Sequence, residues 1–140
     1  MKQIIYISVS AHPMSEDELV DILQAARKKN ASMDITGVLL YSGGTFIQVL
    51  EGPGAHVNRV FESIEKDLRH KNIIKLVDKV ESKRNFGDWT MGFATANPEK
   101  TEELIGYIRS IDHLLDNDLN NSASLMIRIF ITTNNLVISY

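Results

Sequence analysis

The sequence predicts an α+β fold, a mixed sheet of five strands with two helices on one face, in the chain order βαββαββ. Short segments rich in β-branched residues alternate with two stretches whose apolar residues recur at helical spacing. Glycine and proline stand where the strands must turn. The length, 140 residues, suits one domain with one sizeable core.

Each element has its own signal. Residues 2–10 carry Ile4, Ile5, Ile7 and Val9 and read as the first strand, which Pro13 closes. Ser15 followed by Glu18 is a capping box, and Leu19, Ile22, Leu23 and Ala26 continue at helical spacing. This first helix is expected to end near Lys29 and Asn30, where cations suit a helix C-terminus. Residues 35–41 and 45–50 flank Ser42-Gly43-Gly44, a hairpin signal, and Gly52-Pro53-Gly54 stops the third strand. Val57, Val60, Phe61, Ile64 and Leu68 form the stripe of a second helix running to about His70. Residues 73–80 and 89–96 are the expected fourth and fifth strands. Beyond Pro98, Leu104, Tyr107, Ile108, Ile111 and Leu115 mark a third helix, and residues 122–140 are also read as helical. The division expected is a domain over 1–97 and a C-terminal helical extension over 98–140.

Without its additional strand, this order is the ferredoxin-like plan. Right-handed crossovers predict strands one and three as parallel central neighbours. Alternation sets Ile4, Tyr6 and Ser8 on one face of strand one, and Phe46, Gln48 and Leu50 on one face of strand three. The opposite faces carry Ile5, Ile7, Val9, Ile47 and Val49. Both sheet faces are thus apolar, and the first two helices cover only one. The segment after Pro98 is expected to cover the other, unless an oligomer partner does.

Composition removes several function classes. A formal net charge of -3 offers no basic field for nucleic acid or anionic lipid. With no cysteine there is no disulfide framework, thiolate metal site or cysteine nucleophile. No apolar run has the length of a membrane span and no signal-peptide pattern opens the chain, so a cytoplasmic address is expected. His12, His56, His70 and His113 lack metal-ligand spacing. No phosphate-binding glycine loop, nucleophile elbow or other catalytic constellation emerges, and no enzymatic activity is expected.

Gln48 stands out. It lies between Ile47 and Val49 in an apolar strand, where an unsatisfied amide costs about 1–3 kcal/mol. Tyr6 raises the same question next door. Either the two bond each other in an ordinary core, or they address a polar ligand between helix and sheet; periodicity does not separate these. By residue type alone Asn30 is a helix C-cap. Arg27, Lys28 and Lys29 form a solvated face or meet phosphates. Arg69 and His70 read as charges favoured by a helix dipole. Trp89 and Met91 read as core filling on strand five.

In combination these residues resemble the BLUF family, sensors of blue light using flavin. The resemblance spans about residues 2–97. Its marks are Gln3-Ile4-Ile5-Tyr6-Ile7-Ser8, Asn30, Asp34-Ile35-Thr36-Gly37-Val38-Leu39, and above all Phe46-Ile47-Gln48-Val49-Leu50-Glu51-Gly52. Asp67-Leu68-Arg69-His70 and Arg84-Asn85-Phe86 leading into Trp89-Thr90-Met91 complete it.

The resemblance implies noncovalently bound FAD, its ring between the two helices and walled by Ile22 and Ile64. It implies Asn30 at the ring's N3 and C4-carbonyl edge, Arg69 and His70 on the C2-carbonyl side, and Gln48 facing N5 and the C4 carbonyl, held by Tyr6. Lys28 or Lys29 would reach the phosphates. Light would draw an electron and a proton from Tyr6, leaving Gln48 rearranged, by rotation or tautomerisation, and the flavin absorption shifted to the red. Trp89 and Met91 would pass the change to the C-terminal segment. Ala26 stands where some relatives carry serine. No cyclase, phosphodiesterase or DNA-binding domain is recognised after residue 97, so a stand-alone sensor is expected, partnered by a downstream signalling protein and by further copies of itself.

Overall fold

The computed structural model describes residues 1–86 and the backbone of residues 92–95. Along them run β1 (Lys2–Ser10), α1 (Glu16–Ser32), β2 (Thr36–Ser42), β3 (Thr45–Gly52), α2 (Gly54–Glu65), β4 (His70–Val80) and β5 (Gly92–Thr95). The sheet order is β4-β1-β3-β2-β5.

The capping box starts α1 as expected: Ser15 Oγ accepts from the Glu18 amide while the Glu18 carboxylate accepts from the Ser15 amide. The helix then runs past its expected end to Ser32, where the Met33 amide closes it on the Asn30 carbonyl. Asn30 is therefore inside the last turn and is not the C-cap. Asp34, with φ of 56°, takes the left-handed position instead.

The second helix ends earlier than its stripe suggested. The amides of Lys66 and Asp67 fold back on Ser63 and Ile64, and the Asp67 carboxylate then accepts from the Arg69 amide at 3.0 Å. That Asx turn launches β4 at His70. Leu68 is left 90% exposed, off the stripe altogether, and Arg69 and His70 do not sit on a helix dipole.

β1 and β3 are central neighbours, but they run antiparallel. The crossover through α1 makes β1 and β2 parallel to each other. The tight Gly43–Gly44 turn then reverses the chain and inserts β3 between them, antiparallel to both. Both glycines have positive φ (55° and 82°), as a type I′ hairpin requires. The strands whose side chains are described, β1 to β4, form one antiparallel ferredoxin-like sheet. Of the expected fifth strand Gly92–Thr95 is described; it pairs parallel to β2 and makes the sheet mixed. Trp89 and Met91, and the helices expected beyond Pro98, lie outside the described residues.

Both helices cover one face. Leu19 and Leu23 of α1, and Val57, Val60 and Phe61 of α2, are buried against Ile4, Tyr6, Leu39, Phe46 and Leu50. Ile5, Val38, Leu40 and Val49, on the opposite face, are buried as well. No helix among the described residues is long and apolar enough to cross a membrane.

Candidate functional site

Antiparallel pairing places Tyr6 directly across from Gln48, and Leu39 across from Gln48 on its other side. The Tyr6 hydroxyl donates to Gln48 Oε1, with both residues buried. The amide's donor end thus lies on the side away from the phenol. Phe61 tilts over the Tyr6 ring at 5.6 Å.

Above this pair, between the helices and the sheet, is a cavity of about 230 Å³. Tyr6, Leu39, Phe46 and Gln48 make its floor. Ile22, Ala25 and Ala26 wall it from α1, and Val60 and Ile64 from α2. Lys29, Asn30, Ser63, Asp67, Arg69 and His70 supply its polar groups. Eight of the eleven residues singled out from sequence converge there; Lys28 is not on the wall, and Trp89 and Met91 are not described. Leu39, Ser63 and Asp67 were not foreseen as site residues. Leu39 was legible from alternation once β2 pairs with β3, whereas Ser63 and Asp67 depend on where α2 stops.

Asn30 is 1% exposed, yet its Nδ2 has no hydrogen-bond partner. An orphaned buried amide donor costs about 1–3 kcal/mol, so this wall of the cavity calls for an acceptor. His70 is already committed. Its Nε2 lies 2.6 Å from the Ile64 carbonyl, which only accepts, so Nε2 carries a hydrogen; Nδ1 lies 2.8 Å from Ser8 Oγ. The imidazole thereby ties β1 to the end of α2 and presents its ring, not a free nitrogen, to the cavity. Arg69 is held by Asp67, whose carboxylate accepts from Nε and Nη2. That hydrogen-bonded guanidinium keeps the Asp67 carboxyl below the usual carboxylate range.

Burial pushes the Tyr6 phenol far above its ordinary value near 10, and the Asp67 carboxylate adds to the effect. A group whose pKa is raised on folding contributes stability that is intact below its unfolded pKa and lost as pH climbs above it. Unfolding stability should therefore fall above about pH 10, and fall less steeply in Tyr6→Phe. Denaturant titrations from pH 8 to 11 check this; equal slopes in the two proteins would contradict it.

The pattern of one family, described as sensors of blue-light using FAD, matches residues 1–92. The chain belongs to the BLUF family. It is 42% identical over 82 residues to the photoactivated adenylate cyclase subunit alpha of Euglena gracilis, covering 59% of this chain and 8% of that protein. It is 36% identical over 70 residues to the blue light- and temperature-regulated antirepressor BluF of Escherichia coli (strain K12), covering 50% of this chain and 17% of that one. The BLUF chain thus spans less than a fifth of the length of these two curated relatives. Among solved structures, the dark state of BlrB, a BLUF protein, superposes with a TM-score of 0.67 at 28% identity, covering 89% of each chain. The photo-activated state of BlsA gives 0.66 at 31%, covering 99% of this chain and 96% of that one.

The cofactor of a BLUF domain is FAD. The cavity's residues fit it, for a flavin edge offers the acceptors that the orphaned Asn30 Nδ2 lacks, and the apolar walls suit a flat ring. Among the described residues no group of three His, Asp or Glu side chains could hold a metal.

Proposed function

We propose that this chain is a blue-light sensory module in which Tyr6 and Gln48 convert absorption by FAD into a hydrogen-bond change that a partner protein reads. The observation that carries the proposal is the Tyr6–Gln48 hydrogen bond forming the floor of a cavity that also holds the unpartnered buried Nδ2 of Asn30. At about 230 Å³ the cavity exceeds many times the ~30 Å³ share of a water molecule, yet falls short of the ~300–1,000 Å³ clefts that enclose drug-sized ligands. Such a space suits a ring system, with the rest of a dinucleotide outside.

In this reading Ile22 and Ile64 sandwich the ring, Asn30 donates to its carbonyl edge, and Lys29 and Arg69 stand at the polar rim for carbonyl or phosphate. His70 serves as wall and strut, because both of its nitrogens already bond within the protein. When bound and lit, the flavin supplies a strong oxidant. Tyr6 gives up an electron, and because its phenol is protonated and hydrogen-bonded to Gln48 Oε1, the proton leaves through that amide. Gln48 then settles with donor and acceptor exchanged, by rotation or tautomerisation, and the same electron and proton return to Tyr6, so that the phenol is restored with no net redox change. An amide is nearly isosteric about its two ends, so the exchange needs little space. No substrate is consumed. Trp89 and Met91 are the proposed next recipients, and the segment after Pro98 the output.

The named relatives, a cyclase subunit and an antirepressor, act through different effectors. This variety supports an output delivered to a partner, and further copies of the chain are proposed as part of that assembly.

The test is direct. Purified protein incubated with FAD should turn yellow and show a reversible red shift of oxidised flavin under blue light. A colourless protein would overturn the reading, and NAD(P)H-dependent turnover without a red shift would favour a flavin enzyme. Asn30→Ala should weaken FAD binding by about 10- to 100-fold, the equivalent of losing one buried hydrogen bond. Fluorescence titration checks it, and unchanged affinity would remove Asn30 from the contact.

A further inference from the structure

On the face of β3 opposite Gln48, three residues along, Glu51 is only 2% exposed. Burying a carboxylate is costly unless its lone pairs are filled. Among the described residues no cationic side chain bonds the carboxylate, which is filled mainly by the loop after β4. Glu51 Oε2 accepts from the backbone amides of Asn85 at 2.8 Å and Phe86 at 3.0 Å. Oε1 accepts from Asn85 Nδ2 and from Gln3 Nε2 of β1, each at 2.9 Å. Arg84 secures the same loop from the other side. Its guanidinium donates to the main-chain carbonyl of Glu51 at 3.3 Å, to Thr36 Oγ1 at 3.0 Å and to the Asp34 carbonyl at 2.9 Å.

Topology gives this clamp its meaning. β4 lies at one edge of the sheet and β5 at the other, so the connection between them must cross β1, β3 and β2. Glu51 holds the loop where it passes the two strands that carry Tyr6 and Gln48. We propose that Glu51 is a positioning residue for signal output, fixing the connection to β5 against the strand that bears Gln48. A small change at Gln48 then moves β5 instead of being absorbed by a slack loop. The inference rests on the sensory reading above and deepens it.

The experiment compares the full chain, loaded with FAD, as wild type, Glu51→Ala, Glu51→Gln and Asn85→Ala. Flavin difference spectra, dark-recovery rate and light-minus-dark hydrogen exchange across Gly92–Thr95 are read together. Glu51→Ala should keep the red shift while losing most of the exchange difference in β5. Its dark recovery should change by about tenfold, the effect of a barrier change of about 1.4 kcal/mol. Glu51→Gln and Asn85→Ala should show the same effects at smaller size, and they carry the test by the same criterion if Glu51→Ala does not fold. An exchange difference in the variants equal to that of wild type would overturn the proposal, as would a wild type that shows the red shift without any exchange difference in β5. A wild type without any red shift would instead overturn the sensory reading itself.

Discussion

A Gln48→Leu protein is expected to remain yellow and to lose the light-induced red shift entirely. Leucine keeps the bulk of the floor but has neither donor nor acceptor, so nothing is left to exchange. Tyr6→Phe should give the same phenotype for a different reason: the ring stays and the transferable proton goes. If either variant kept a normal red shift in a light-minus-dark spectrum, the photocycle proposed here would be wrong. Stability offers an independent check. Gln48→Leu leaves the buried Tyr6 hydroxyl without its acceptor, which costs about 1–3 kcal/mol. Adding Tyr6→Phe removes the stranded donor, so the double variant should recover part of that loss. A double-mutant cycle in urea measures the coupling.

Gly37→Ala should damage the protein more than any change in the cavity. A Cβ built at Gly37 would lie 1.8 Å from the Val49 carbonyl oxygen, a main-chain atom that cannot swing aside. Relief requires parting β2 from β3 at the strand that holds Gln48. The expected loss exceeds about 3 kcal/mol, the upper range for overpacking, or roughly 10 °C in Tm for a domain of this size. Gly54→Ala is the control. Its Cβ meets Lys2 at an ordinary 3.8 Å on the first residue of α2, and alanine there should be neutral or slightly stabilising. Calorimetry on the two variants separates them, and a Gly37→Ala protein as stable as Gly54→Ala would refute the close approach.

Elements with strong local chemistry were legible in advance. The Ser15–Glu18 box starts α1, the paired glycines turn the hairpin, and alternation sets Tyr6 and Gln48 each on a definite face of its strand, which the structure shows to be the helix-covered one. Errors came where local pattern gives way to tertiary geometry. Apolar spacing carried α2 on to Leu68, because no periodicity reveals that the Asp67 carboxylate will turn the chain. Asn30 suits a C-cap by residue type, and only the longer helix turns its amide inward. Strand direction departs from the expectation because handedness rules govern a crossover between parallel strands, and β1 and β3 are not the pair it joins. Most of the cavity's residues could be foreseen from the resemblance. Their cooperation could not: that His70 spends both nitrogens on protein, and that Arg69 waits in the grip of Asp67, are facts of packing.

The direct opposition of Tyr6 and Gln48 has a practical corollary. Forty-two positions apart in the chain, the two side chains meet only when β1 and β3 pair in one register. A slip of a single residue would turn Gln48 to the far face and set Ile47 or Val49 against the phenol. Under the proposed photocycle, the colour change therefore doubles as an alignment gauge. Any variant, fusion or refolded sample that still shifts to the red has assembled the centre of its sheet correctly, and one that binds flavin without shifting has a fault that a flash of blue light will expose.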